Sequence, residues 1–202
     1  LRAVGSGQRR RWPVLSVSHL VVPGDTETPP GEFELPGVQM PEGIQADLAR
    51  DVVALAAPLA LDNPVCPWLG TGRGTGTLSA SFGIPLDART GWSPAFTRSI
   101  EDILSDPPPD PQASGILPEV RDRIRAIRDH LPPRFAIAFP DMQGPFNIAH
   151  AIAGAAVFTA PFDDMQRFSR LMERITRFWL DVRRTILAWI GPERLPPDRG
   201  DR

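Results

Sequence analysis

Two patterns of apolar residues organise the chain: stretches that step by three and four, and short unbroken runs fenced by proline. In the first class, Leu117, Val120, Ile124, Ile127 and Leu131 share one face while Arg, Asp and Glu fill the other, which predicts an amphipathic helix over 114–131. Ser114 is its candidate cap, Pro118 sits where a first-turn proline is tolerated, and Pro132 with Pro133 end it. The same stepping through Met165, Phe168, Met172, Ile175, Trp179, Val182, Ile186 and Trp189 predicts a long helix from Asp164 to Ile190. The acids Asp163 and Asp164 suit its amino end, and Gly191 with Pro192 stop it.

Shorter helices follow from weaker versions of this pattern. Leu48, Val52, Leu55 and Leu59 predict a helix of about 14 residues starting at Ile44, which Pro58 ends or kinks. Phe96, Ile100, Ile103 and Leu104 predict another within 93–105, before the DPPPDP break at 106–111. Pro145 suits the first turn of a helix whose buried side carries Ile148, Ile152 and Ala156.

The second class is clearest at FAIAFP, residues 135–140, a run expected of a strand buried on both faces in a parallel sheet. WPVLSVSHLVV near the start is also strand-like, whereas Pro23 to Gly43 lacks periodicity and reads as loop. In LALDNPVCPWLGTGRGTGTLSASFG the two prolines argue against a central strand. The implied organisation is an N-terminal strand and Pro/Gly-rich loop at 1–43, an α/β domain at 44–192 and a disordered tail at 193–202. Helix, buried strand, loop and helix form the repeating unit of α/β proteins. The strands are too few to close an eight-stranded barrel, which needs about 250 residues. The expectation is therefore a partial (β/α)8 barrel whose C-terminal strands are missing, and a chain opening on Leu1 rather than Met fits a truncated start.

Composition mainly excludes. A 42% hydrophobic and 23% charged chain is globular, and its 24 Pro and 17 Gly point to substantial loops. A net charge of −2 disfavours nucleic acid and anionic membrane surfaces as partners. The single cysteine, Cys66, excludes an internal disulfide and a thiolate-rich metal site, and fits a reducing cytoplasm. No run approaches the ~18 apolar residues of a membrane span.

Candidate chemistry gathers around the 135–140 strand. Asp141, Gln143 and Asn147 flank the Gly144–Pro145 turn, so their polar groups should face whatever lies above the strand's carboxyl end; alternatively Asp141 and Asn147 bond local backbone. His150 follows on the next helix, either toward that pocket or on a plain helix surface. Asp62 could reach a pocket from the end of LALD or serve the Asp-Asn-Pro turn. Arg73, amid glycines, could clasp a carboxylate with its planar fork or be solvated. GTGRGTG at 70–76 fails both phosphate-loop patterns, since the chain has no lysine and Thr75 stands where a dinucleotide fingerprint needs glycine. No metal site and no cofactor are expected.

FPDMQGPFNIAHAIAG, then VFTAPFDDMQRFSRLMERIT, resembles the uroporphyrinogen decarboxylase superfamily, in which a strand leads through a Gly-Pro turn into a glycine-ended helix and then a long helix. GTGTLSASFG is similar to the Gly-rich to Phe-Gly segment of its uncharacterised members. The resemblance covers 62–190. It implies a (β/α)8 barrel with its pocket at the carboxyl ends of the strands, holding a tetrapyrrole or polycarboxylate. It also implies decarboxylation without a cofactor, Asp62 being catalytic and Arg73, Asp141, Gln143, Asn147 and His150 binding substrate. The decarboxylase's tyrosine is replaced by Ala151, and the chain contains no Tyr. Corrinoid-linked methyl transfer and a non-catalytic paralogue stay open as alternatives. Expected partners are a small-molecule substrate and, if any protein, a second copy of the chain.

Overall fold

The computed structural model describes residues 48, 51–52, 68–71, 74–86, 97–133 and 135–195. The chain divides into two compact units, 1–67 and 68–202. In the first unit Leu48, Asp51 and Val52 are helical, with Leu48 and Val52 buried, in keeping with the predicted helix there. The readings placed on 1–43, on Pro58 and on Phe96 lie outside the described residues.

The second unit is mostly helical around one small parallel sheet, a general α/β arrangement. Strand β1, Trp68–Leu69, pairs with β2, Ala136–Ile137, in the register Trp68 to Ala136 and Leu69 to Ile137. Beyond β2 the Ala138 N–H donates to the Leu69 carbonyl at 2.9 Å, and the buried Thr71 hydroxyl donates to the Ala138 carbonyl at 2.9 Å. Phe135, Ala136 and Ile137 are all buried, as the proline-fenced apolar run predicts. The stretch with two prolines, which argued against a central strand, contributes only the two-residue Trp68–Leu69 at an edge of the two-stranded sheet.

Helix α1, Ile100–Ser105, is capped by Ser99, whose hydroxyl accepts the Asp102 N–H at 3.0 Å, and it ends ahead of Pro107. Helix α2, Leu117–His130, buries Leu117, Val120, Ile124 and Ile127 together with the following Leu131, the predicted face. Ser114 is not its cap. The Ser114 hydroxyl instead accepts the Asp110 N–H at 2.7 Å, bracing the turn before the helix. Here Gly115, at φ +59, lies so close to the backbone of Ala80 and Ser81 that a Cβ would fall 2.6 Å from the Ser81 nitrogen.

Helix α3, Pro145–Ala153, buries Ile148, Ala149, Ile152 and Ala153. It stops at Gly154, φ +63, so Ala156 is not on its buried side as expected; Ala156 is exposed and begins a separate helix α4, Ala156–Asp163. Helix α5, Met165–Ile190, is 26 residues long and spans about 39 Å. Asp164 caps it by accepting the Arg167 N–H at 2.9 Å, and Gly191 ends it. Helices α1 to α4 all pack on it. Its buried line is Leu171, Ile175, Phe178, Val182, Ile186 and Ile190. Only Ile175, Val182 and Ile186 of the predicted stripe lie on that line; Met165 is 59% exposed. Burying each such aliphatic side chain contributes roughly 1.5–3 kcal/mol, and Phe178 adds an edge-on contact with Phe82 at 5.2 Å between ring centres.

Past α5, residues Pro192–Arg194 form a single 3-10 turn that belongs to the packed unit, although 193–202 read as tail in the sequence. Arg194 is buried. Its guanidinium donates to four backbone carbonyls, those of Arg128, Leu131, Pro132 and Phe135, at 2.7–3.2 Å. Those of Arg128 and Leu131 lie at the carboxyl end of α2, where unpaired carbonyls and the helix dipole favour a cation, and those of Pro132 and Phe135 follow just beyond it. Burial lowers its pKa from the ordinary value, and the neighbouring Arg128 charge adds to that shift.

Candidate functional site at the carboxyl end of the parallel strands

Leaving β2, the chain passes Phe139 and the buried Pro140, turns outward at Asp141 and re-enters at α3. The turn rests on Gln143, whose backbone adopts φ +50, a left-handed conformation that costs a non-glycine residue about 1 kcal/mol. Three bonds hold it there. The Asp141 carboxylate accepts the Gln143 backbone N–H at 3.2 Å and the Gln143 side-chain amide at 2.6 Å. From the other side the Trp179 indole N–H of α5 donates to the Gln143 carbonyl at 2.9 Å.

The side chains then form an ordered row. An ionised carboxylate can only accept, so Asp141 orients the Gln143 amide nitrogen toward itself and leaves the amide oxygen pointing onward. That oxygen accepts the Asn147 amide at 3.1 Å. The polarity is thereby propagated, and the Asn147 oxygen is left as an acceptor without a partner among the described residues. Gly144 and Pro145 fit the sharp entry: Gly144 occupies the cap position, its carbonyl accepting the Ile148 N–H at 3.0 Å, and Pro145 occupies the first turn, where no intrahelical N–H is needed.

Of the residues singled out from sequence, Asp141, Gln143 and Asn147 are thus brought together. His150 lies one turn further along α3, exposed, with its ring 5.1 Å from that of Phe158 on α4; Phe158 in turn packs edge-on with Phe146 at 5.6 Å. The polar row therefore borders a partly exposed aromatic surface that continues to Phe162, which is 90% exposed. Asp62 and Arg73 lie outside the described residues. Neither the groove beside Pro108 and Arg174 nor the groove between α2 and α5 includes any of these side chains.

Sequence reasoning missed two contributors. Trp179 reads as a core residue by its spacing, and nothing in the sequence marks its indole N–H as the support of a loop 36 positions away. Phe158 belongs to a helix that the pattern did not separate from α3. Among the described residues no three His, Cys, Asp or Glu side chains are placed to share a metal ion, and no helix is long and apolar enough to cross a membrane. Compared with family models, with curated proteins and with solved structures, the chain matches none.

Proposed function

We propose that this chain is part of a uroporphyrinogen decarboxylase-like (β/α)8 barrel that binds a tetrapyrrole or other polycarboxylate above the carboxyl end of β2. The observation that supports this reading is the junction itself. A buried strand in parallel pairing leads directly into a polar row of Asp141, Gln143 and Asn147, the place where α/β proteins bind ligands. The row offers amide donors and a free acceptor, and the Phe146–Phe158 surface offers aromatic faces to a flat ring.

In the proposed reaction a proton adds to an electron-rich ring, the bond to a side-chain carboxylate breaks with release of CO₂, and the freed electron pair neutralises the ring as an exocyclic methylene forms. That carbon then takes up a proton while the ring releases the one it had gained, leaving a methyl group in place of the carboxymethyl. Asp62 stabilises the positive charge that develops on the ring, and Arg73 holds a carboxylate that is not lost. No cofactor is required.

The test is to incubate the complete gene product with uroporphyrinogen and count the carboxyl groups lost by mass spectrometry. Loss that is suppressed in Asp62→Asn supports the reading. Binding without loss would instead fit a non-catalytic paralogue, a stoichiometric zinc would favour methyl transfer, and neither binding nor loss would end the proposal.

A further inference from the structure

The segment between α1 and α2 carries three successive prolines, Pro107, Pro108 and Pro109, followed by Asp110 and Pro111. Each ring fixes φ at about −65°, and a residue that precedes proline is driven out of the helical region. Asp106, Pro107, Pro108 and Asp110 all precede one, so this stretch has little choice but to be extended. Asp106 indeed has φ −63 and ψ 156, the polyproline II values, and 107–110 are neither helix nor strand. At three residues per turn and about 3.1 Å per residue, Pro108 and Pro111 share one edge of such a ribbon, about 9 Å apart, with Pro107 and Asp110 beside them.

Both ends of the ribbon are fastened. Arg174 of α5 donates to the Asp106 and Pro107 carbonyls at 2.6 and 2.8 Å, and Arg98 donates to the Asp106 carboxylate at 2.6 Å. At the far end the Asp110 N–H donates to the Ser114 hydroxyl at 2.7 Å, and the Asp110 carboxylate accepts the Gln112 N–H at 2.8 Å. Between these ties Pro107, Pro108 and Asp110 are exposed, whereas Pro109 is half-buried beside a groove that Leu104 and Phe178 also line, and Pro111 is half-buried. The Pro108 and Pro109 carbonyls accept no hydrogen bond from any described residue. The result is an ordered strip of exposed proline rings with open acceptors, its middle residue set against the protein's own body.

We propose that residues 107–111 dock into a partner protein module whose groove is lined by aromatic side chains and grips Pro-x-x-Pro ribbons. The pairs Pro107–Pro108 and Asp110–Pro111 seat between the partner's rings, and a donor of the partner takes the Pro108 or Pro109 carbonyl. Backbone chemistry selects this occupant. Three successive residues without an N–H cannot support the ladder of an added strand, which excludes docking by strand pairing. The Asp106 and Asp110 carboxylates repel a phosphate backbone. A strip one residue wide falls far short of the ~800 Å² per partner of a standard protein interface, so a second copy is not held by it. An aromatic groove needs only a short ribbon already in its bound conformation, and the ties through Arg174, Arg98 and Ser114 provide that.

The test titrates the full chain into ¹⁵N-labelled SH3 domains of both ligand orientations, modules whose aromatic groove reads Pro-x-x-Pro, and follows their amide resonances. Saturable shifts along the aromatic groove of at least one domain are expected. Pro108→Ala should weaken binding about tenfold, and Pro108→Ala combined with Pro111→Ala should abolish it. Pro109→Ala, at the position set against the protein's own body, should lose a smaller factor, about threefold. Pro64→Ala, in the chain's other Pro-x-x-Pro run at 64–67, should leave binding unchanged. Circular dichroism of the Pro108→Ala variant should match the parent, because the ring is exposed and proline donates no hydrogen bond. No saturable shift in either domain, shifts away from the aromatic groove, equal binding by Pro108→Ala and the parent, or loss of binding in Pro64→Ala would each overturn the proposal.

Discussion

Two side chains associated with the long helix hold neighbouring backbone in contrasting ways. Just past the end of α5, Arg194 is buried and its charged fork meets four carbonyls at and beyond the end of α2. Midway along α5, Trp179 gives one neutral hydrogen bond to the carbonyl of Gln143, a residue in a strained conformation whose side chain lies in a solvent-facing row. The first arrangement commits both terminal nitrogens of the fork to backbone within the protein. The second braces a turn whose side-chain amides face solvent, the condition that the proposed ligand site requires.

The contrast can be broken most directly at Arg194. Arg194→Ala strands several buried carbonyls at once and should cost about 3 kcal/mol in urea denaturation. Arg194→Lys should recover less than half of that, because a single ammonium cannot serve four acceptors spread across a plane. Next in size is Gly115→Ala, where the new Cβ would collide with the Ser81 backbone at a left-handed φ; a loss of about 2 kcal/mol is expected by the same measurement. Trp179→Phe should cost about 1 kcal/mol, with faster amide exchange confined to residues 141–144. The smallest effect carries the opposite sign. Gln143→Gly relieves the positive φ and should raise stability by roughly 0.5 kcal/mol, while removing the amide that links Asp141 to Asn147. A variant that is more stable yet binds ligand less well would separate the two regions cleanly. A destabilised Gln143→Gly would mean that the row is structural, like the Arg194 clasp.

The same distinction governs what the sequence could reveal. The face of α2 was legible because its apolar residues form a single arc opposite charged ones, leaving one way to bury them. The ends of α5 were legible from Asp164 and Gly191, whose chemistry is local. Its buried face was not, because Phe168, Met172 and Trp179 make a second apolar arc beside Leu171, Ile175 and Phe178, and only packing against α1 to α4 chooses between them. Strand β1 is only Trp68–Leu69, too short to show a pattern of its own, and it is defined by a partner 68 residues away in β2. Arg194 was hidden in a polar, proline-rich terminus, since its acceptors are supplied by another helix's end. At the candidate site, Asp141, Gln143 and Asn147 stood out as polar residues around a Gly-Pro turn after a buried strand, and the alternative reading of Asp141 holds as well, since its carboxylate accepts the Gln143 backbone N–H. The left-handed Gln143 and its support by Trp179 depend on tertiary placement and leave no local trace.

The central claim is that the Asp141–Gln143–Asn147 row is a ligand-contacting surface. It is tested most directly by following the side-chain amide resonances of Gln143 and Asn147 in a ¹⁵N-labelled sample titrated with uroporphyrin, the oxidised ring system carrying the same carboxylates. Saturable shifts at these two amides and at the Trp179 indole N–H, lost in Gln143→Gly, are the expected result. Shifts confined to other residues, or none at all, would contradict the account.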